Sequence, residues 1–368
     1  TDTVAPGLRT IGMVTSAIWT DFNNDTWPDL MVVGEFMPIT FFKNEGGKKL
    51  INDVALTLDN STGWWNSVTG GDFDNDGDID YVAGNLGLNS AFKSSPAEPV
   101  SVYAKDYDQN GSVDPILTRF ISGVEYPVHP RETFTAQIVG LKRILRTYET
   151  YGKMPFHELF SAEMLENAHV LSATEFRSCF IENLGNGKFA LKPLPARAQF
   201  APVCGMLTRD INDDGHLDLI TIGNDYSAEP LTGYYDAGIG TCLIGDGKGN
   251  FSELSVLKSG FVVDGDAKAL IALSVQGREL VLATQNGGSL AVFSYGSEKG
   301  NASVSVNQDD YYAAIYQNGR VRKQEFYLGD SYLAQSSHHI HVPANADSVV
   351  VVNHKGAKRV LRRALQKK

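Results

Sequence analysis

Cysteine is scarce in this chain and scattered: Cys179, Cys204 and Cys242 stand far apart, with no CxxC pairing. An odd, dispersed set supplies neither a disulfide framework nor a zinc signature, and the apolar runs around the three point to buried free thiols. No uninterrupted run of about 18 apolar residues occurs, so no stretch reads as a membrane-spanning helix. Positive charge is short as well. The net charge of -11 argues against nucleic acid or an anionic lipid surface as the main partner. Gly-x-Ser-x-Gly, a phosphate loop and a zinc-protease motif are all missing. The opening Thr1-Asp-Thr-Val-Ala-Pro-Gly has neither a charged start nor an apolar signal core, which fits a piece of a longer chain or a processed one.

What the sequence does have is a repeat. Asp21-Phe-Asn23-Asn-Asp25-Thr-Trp-Pro-Asp29 leads into the apolar run Leu30 to Val33 and then Gly34. Asp72-Phe-Asp74-Asn-Asp76-Gly77-Asp-Ile-Asp80 leads into Tyr81-Val-Ala and Gly84, and Asp210-Ile-Asn212-Asp-Asp214-Gly215-His-Leu-Asp218 into Leu219 to Ile222 and Gly223. Each unit is an acidic loop feeding a buried strand that a glycine ends. Hairpin turns recur downstream, at Asn44-Glu-Gly46-Gly47, Asn183-Leu-Gly185-Asn186-Gly187 and Gly245-Asp246-Gly247-Lys-Gly249-Asn250. Loop, strand, hairpin and strand at a spacing of roughly fifty residues describe one four-stranded propeller blade per repeat. Val263-Asp264-Gly265-Asp266 reads as a fourth blade start that has lost its loop, so four blades are expected.

Asp72 and Asp210 are too far apart for one blade, which places an insertion at about Ser90 to Glu175. Part of it reads helical: Ile138, Leu141, Leu145 and Tyr148 share a helix face, and Phe156, Leu159 and Phe160 begin another helix. It also carries a further acidic loop, Asp106-Tyr-Asp108-Gln-Asn110-Gly111-Ser-Val-Asp114, expected in an elaborated hairpin and not at a new blade start. From about Asn301 the character changes to short alternating strands (Tyr311 to Tyr316, Val321 to Tyr327, His339 to Val342, Ser348 to Val352). A basic end follows, with Lys355, Lys358, Arg359, Arg362, Arg363, Lys367 and Lys368.

Carboxylate or amide oxygens at positions 1, 3 and 5 of a tight loop converge on one point, a backbone carbonyl at position 7 joins them, and an acidic residue at 9 closes the shell. Such hard donors in a flexible cage suit Ca²⁺. The expected side-chain ligands are Asp21, Asn23, Asp25 and Asp29; Asp72, Asp74, Asp76 and Asp80; Asp106, Asp108, Asn110 and Asp114; and Asp210, Asn212, Asp214 and Asp218. Trp27, Asp78, Ser112 and His216 occupy position 7 and are expected to give carbonyl oxygens only, with the Asp78 and His216 side chains turned away. Glycine stands at position 6, where the chain turns sharply, in three of the loops; Thr26 is the departure. An EF-hand would need glutamate at position 12, which is instead Val32, Ala83, Leu117 or Thr221. About four Ca²⁺ ions would cancel most of the negative excess.

These motifs resemble the FG-GAP/VCBS repeats, a broad group that includes the integrin α-subunit propellers. Tyr332-Leu-Ala-Gln335-Ser336-Ser337-His-His-Ile-His341, Val349 to Val352 and Gly356 resemble the ASPIC/UnbV domain that follows such repeats in the cartilage acidic protein family. Asn353-His354-Lys355-Gly356 stands where that domain has Trp-Pro-Ser-Gly. The start of the chain and the helical insertion further resemble large secreted bacterial members. The resemblance implies an all-β fold, with propeller blades over 1–300, the insertion at 90–175 and an ASPIC/UnbV-like β region at 301–368. It also implies about three more blades upstream, completing seven.

Two functions are weighed. The first is a non-catalytic extracellular scaffold whose calcium fixes the loops while other surfaces bind protein or glycan, with the chain secreted or held at the outer cell surface. The alternative is a propeller-based polysaccharide lyase or hydrolase, for which His129, His157, His169 and the group His338, His339 and His341 are the candidates. Alternation on a strand puts His339 and His341 on one face as a possible metal pair, with no third ligand at suitable spacing. Trp19, Trp27, Trp64 and Trp65 are the only tryptophans. In an extended Trp64-Trp65 pair at least one ring should face outward, as inter-blade packing or as a sugar-stacking platform.

Overall fold

A computed structural model describes residues 2–361 apart from 54, 55, 57, 59, 230, 231, 277, 295–301 and 345. The expected 300/301 boundary and the basic residues Arg362, Arg363, Lys367 and Lys368 lie outside the described residues.

The chain is mostly β. Strands β1 (Met13–Thr20), β2 (Asp29–Met37), β3 (Thr40–Asn44) and β4 (Leu50–Asn52) form the first antiparallel meander. The second opens with β5 (Gly63–Gly71) and β6 (Asp80–Asn85). The chain then departs through β7 (Val100–Lys105), β8 (Asp114–Ile121), β9 (Val124–Pro127) and β10 (His169–Ala173). It returns to complete the second meander with β11 (Cys179–Asn183) and β12 (Phe189–Pro193). The third comprises β13 (Gly205–Arg209), β14 (Asp218–Ile222), β15 (Thr241–Gly245) and β16 (Phe251–Leu254). The fourth has three strands, β17 (Ala267–Val275), β18 (Arg278–Gln285) and β19 (Ala291–Ser294).

The first strands stand side by side in chain order, β1 beside β5, β5 beside β13 and β13 beside β17. Successive meanders pack face to face, and the first two are also joined into one eight-stranded sheet where β2 pairs with β5 at Glu35–Trp64 and Met37–Gly63. Ile18, Met31, Phe41, Trp65, Tyr81 and Ile181 fill the space between the first two. Phe73, Val82, Phe180, Met206, Leu219 and Leu243 fill the second interval, and Leu207, Ile220, Leu270, Ala272 and Val281 the third. A strand covered on both faces can be apolar throughout, which is why β2, β6 and β14 read as continuous runs and not as alternation.

The glycine that ends each of these runs has a steric reason. A Cβ at Gly34 would lie 2.1 Å from the Met13 carbonyl oxygen, one at Gly84 2.4 Å from that of Val203, and one at Gly223 1.6 Å from that of Pro202. In each case the backbone just before or at the start of a first strand passes directly over the glycine.

Three expectations are corrected here. The strand before each acidic loop, not the loop, begins each sheet. In the fourth sheet Asp264 and Asp266 therefore precede the first strand, and the place of an acidic loop falls between Val275 and Arg278, where the sequence has none. The insertion is a four-stranded sheet of its own, ordered β10-β7-β8-β9, in which the Asp106–Asp114 loop closes a hairpin, as expected, between the two central strands. Its helical part is broken into pieces: Arg131–Gln137, a 3₁₀ turn at Val139–Arg143, Tyr148–Lys153, Phe156–Leu159 and Ala162–Leu165. Ile138, Leu141, Leu145, Phe156, Leu159 and Phe160 are buried against that sheet, whereas Tyr148 faces solvent. Trp65 is fully buried, and Trp64 turns the other way and packs, half-buried, on Phe36, Phe92 and Phe176.

The C-terminal region adds β20 (Ala302–Ser305), β21 (Asp310–Gln317), β22 (Arg320–Glu325), β23 (His339–Val342), β24 (Ser348–Asn353) and β25 (Lys358–Leu361). β20 pairs with β23, and the other four form the sheet β22-β21-β24-β25 around Ala313, Ile315, Val349 and Val351. The segment before β23 runs across the first strands. Ser331 donates its N–H to Val68, accepts at its carbonyl from the Ser16 hydroxyl, and bridges the Cys204 carbonyl and the Met206 N–H through its own hydroxyl. Ser336 and Ser337 then bond the backbone of β17 at Ala272 and Ser274. One short segment thereby ties together all four first strands.

Replacing Gly223 by Ala forces a Cβ into the Pro202 carbonyl and should lower unfolding stability by about 3 kcal/mol. Gly140→Ala, where nothing lies within 4 Å, is the control. A shift of the urea midpoint in the first variant, with an unchanged midpoint in the second, is the expected outcome.

Candidate metal centres

All four acidic loops share one backbone conformation. Position 4 is left-handed in each, with φ of 57° at Asn24, 61° at Asn75, 59° at Gln109 and 62° at Asp213. Position 6 also has positive φ, 96° at Gly77, 90° at Gly111 and 91° at Gly215, and glycine takes this at no steric cost. Thr26 adopts 73° there, a conformation that strains a β-branched residue.

The side chains at odd positions hold that shape. The first carboxylate gathers the N–H groups of positions 5 and 6: Asp21 from Asp25 and Thr26, both at 2.9 Å, Asp106 from Asn110 and Gly111 at 3.1 and 2.8 Å, and Asp210 from Asp214 and Gly215 at 3.2 and 2.9 Å. Position 3 accepts from the N–H of position 5 in every loop, and position 5 from that of position 7.

Position 9 reaches elsewhere. Asp29 accepts from the Asn44 N–H, Asp80 from Asn183 at 2.8 Å and Asp218 from Gly245 at 2.9 Å. Those three donors end β3, β11 and β15, where the glycine-rich hairpins begin. The two recurring sequence motifs are thus neighbours in space, joined by one carboxylate.

Two loops bring three carboxylates within reach of one ion: Asp72, Asp74 and Asp76, and Asp106, Asp108 and Asp114, have oxygens within 4.8 Å of one another. In the other two loops position 3 is an amide, Asn23 or Asn212, and no such carboxylate trio forms among the described residues. Asp29 Oδ2 and Asp72 Oδ1 are buried without a hydrogen-bond partner, on residues with no exposed surface. A hard cation is the natural partner for an oxygen left in that state. The donor set and these orphaned atoms fit Ca²⁺.

Burial disfavours the ionised carboxylates. It pushes Asp29 and Asp80 up to about 8, Asp218 to about 7, and Asp72 and Asp74 to about 6, with neighbouring carboxylates adding to the rise. Asp21 and Asp210 are raised by burial too, but Lys323 opposes the rise at the first and Arg322 at the second.

At position 7 the Asp78 carboxylate accepts from the Asn24 side chain of the preceding loop. His216 meets the Asn75 side chain at Nδ1 (3.0 Å) and Arg320 at Nε2 (3.2 Å). Asn75 Nδ2 and the Arg320 guanidinium both donate, and a neutral imidazole has one accepting nitrogen, so the ring accepts from one of the two at a time. Position 4 of one loop therefore bonds position 7 of the next, twice in succession. Trp27 lies over Gly47. Neither Asn24 nor Asn75 was singled out as a site residue in the sequence. Their left-handed backbone was the available signal, since asparagine is enriched there.

The histidines do not converge. His129 accepts the Leu117 N–H, His157 pairs with Glu125 at 2.8 Å, and His339 meets Ser305 at 3.0 Å. Among the described residues no third ligand joins His339 and His341. Burial raises the thiols of Cys204 and Cys242 to about 11, and that of Cys179 well above its ordinary value, so all three are inert.

Residues 21–83, from the first acidic loop to β6, match the family model of the FG-GAP-like repeat. The chain matches no curated protein sequence.

Carboxylates whose pKa is higher folded than unfolded stabilise the fold below about 4, and that contribution is lost as pH rises through 6 to 8. In chelator the melting temperature should therefore fall by at least about 4 °C between pH 5 and 8.5. With saturating Ca²⁺, which binds the ionised form, the fall should vanish or reverse.

Proposed function

We propose that this chain is a calcium-binding β-propeller scaffold that works outside cells and presents its surfaces to a protein or glycan, without catalysis of its own. The observation that carries the reading is the fourfold recurrence of one loop geometry with buried, unpaired oxygens at Asp29 and Asp72. Four antiparallel meanders with adjacent first strands support the propeller reading, and the FG-GAP-like match over 21–83 agrees with it. Asp21, Asn23, Asp25 and Asp29, with their counterparts in the other three loops, would hold the ions. Their carbonyl partners would be Trp27, Asp78, Ser112 and His216.

Binding at such loops is structural. An ion that binds only the folded loop stabilises it by about 2.7 kcal/mol per site at a hundredfold excess over Kd. Loop sites of this kind fill where calcium is millimolar, which favours an extracellular setting. No helix among the described residues is long and apolar enough to cross a membrane. A cleft of about 550 Å³ lies where the insertion meets the second sheet, lined by Phe92, Lys93, Pro96, Thr174, Glu175 and Arg177, and it offers a partner mixed apolar and charged contacts. The non-catalytic reading rests on the acidic groups being committed to the loops and on the histidines standing apart.

Thermal melting after chelation should show a loss of several degrees, restored by Ca²⁺ and not by equimolar Mg²⁺. The double variant Asp72→Asn, Asp74→Asn should lose part of that response and bind one ion fewer. Equal rescue by both metals, or no response to either, would contradict the reading. Screening the calcium-loaded chain on glycan and protein arrays tests the binding role. Turnover of a polysaccharide, abolished by His339→Ala, would overturn the absence of catalysis.

A further inference from the structure

Strand β22 carries Arg320, Arg322 and Lys323, and it docks on three of the four acidic loops. The Lys323 N–H donates to Asp72 Oδ2 at 2.8 Å, while its ammonium donates to Asn24 Oδ1 at 2.7 Å and lies 3.3 Å from Glu325. Glu325 in turn accepts from the Asp21 N–H and the Thr20 hydroxyl. The buried Arg322 guanidinium donates to the Gly215 carbonyl at 3.3 Å and stands 3.8 Å from Asp210, and Arg320 reaches His216. The position-1 carboxylates Asp21, Asp72 and Asp210 are all buried beneath this strand. The fourth loop, Asp106–Asp114, lies in the insertion, and among the described residues β22 makes no hydrogen bond or ion pair with it.

We infer that β22 is a built-in set of counter-cations, whose Lys323 and Arg322 keep the 21–29, 72–80 and 210–218 loops in shape when no divalent ion is bound. The 106–114 loop has no such support and depends on metal alone. The physical reason is charge. Three or four crowded carboxylates repel one another, and a resident ammonium or guanidinium offsets part of that repulsion at a fixed position. Like charges near the same carboxylates also compete, so these cations weaken divalent binding at the loops they serve, and by linkage the ion weakens their hold in equal measure. Two classes of site follow. Three are preformed and attenuated, joined in a row by the Asn24–Asp78 and Asn75–His216 bonds, and one stands apart from β22 and folds around its ion.

The inference rests on the reading of the loops as calcium sites, but its first test needs no metal. Hydrogen exchange on the full wild-type chain in chelator should find the loops 21–29, 72–80 and 210–218 still protected and 106–114 unprotected. Equal loss in all four would overturn the proposal. The second test uses Lys323→Met and Arg322→Met, which keep the aliphatic bulk. Each should melt several degrees below wild type in chelator, with the gap closing in millimolar calcium. Calorimetric titration should show calcium affinity rising at least about fivefold at the loops each cation serves, and unchanged at 106–114. Lys323→Arg, which retains the charge, should behave as wild type. An equal loss of stability with and without calcium, or weaker calcium binding in the Met variants, would mean that β22 only packs. If a Met variant fails to fold in both conditions, the exchange pattern of the wild type decides. Absence of calcium binding anywhere would sink the function proposed above while leaving the exchange test intact.

Discussion

Like charges buried in a row are the constraint on which this molecule is built. Asp21, Asp29, Asp72, Asp80, Asp114, Asp210 and Asp218 are all buried, and an ionised carboxylate in that position must be met by donors, by a cation or by a proton. Backbone N–H groups meet part of the need, and they do so in the same pattern each time. That pattern requires left-handed residues at positions 4 and 6 and thereby dictates the loop sequence. The position-9 carboxylate extends the arrangement to the third strand of its own sheet, and positions 4 and 7 extend it to the next sheet. The loops thus serve as the fastening at one end of the stacked sheets.

The C-terminal region completes what the sheets leave open. Ser331, Ser336 and Ser337 bond backbone groups of the first strands, and β22 covers the first carboxylates of three loops. A polar segment suits this place because the strands it meets offer N–H and C=O groups that would otherwise be buried unpaired. Gln335-Ser336-Ser337, singled out in the sequence for its family resemblance, has here a plain physical role: Gln335 accepts the Gly329 N–H and the two serines bond β17.

Much of the local structure was legible. Alternate acidic or amide residues, a glycine at position 6 and a following apolar run mark loop and strand together, because the hydrogen bonds that shape the loop span fewer than ten residues. What escaped was long-range. The strands before the loops carry no comparable signal: Gly63-Trp-Trp-Asn-Ser-Val-Thr-Gly-Gly71 mixes rings, hydroxyls and glycines, and its burial comes from both neighbouring sheets. Tyr148 fits a helical period, yet the chain breaks between Arg143 and Tyr148, and the ring ends in solvent. Of Trp64 and Trp65 at least one was expected to face outward; Trp64 does turn from the side that buries Trp65, but it packs half-buried on Phe92 and Phe176, a contact that no local pattern announces. Lys323 and Arg322 looked like ordinary strand residues, since nothing nearby in sequence reveals that aspartates more than a hundred residues away lie beneath them.

The most direct measurement is anomalous diffraction from crystals of the chain grown with calcium and soaked briefly in a lanthanide. The account predicts four peaks, each enclosed by the oxygens of positions 1, 3, 5 and 9 of one loop. Peaks confined to surface carboxylates, with the four loops bare, would contradict it.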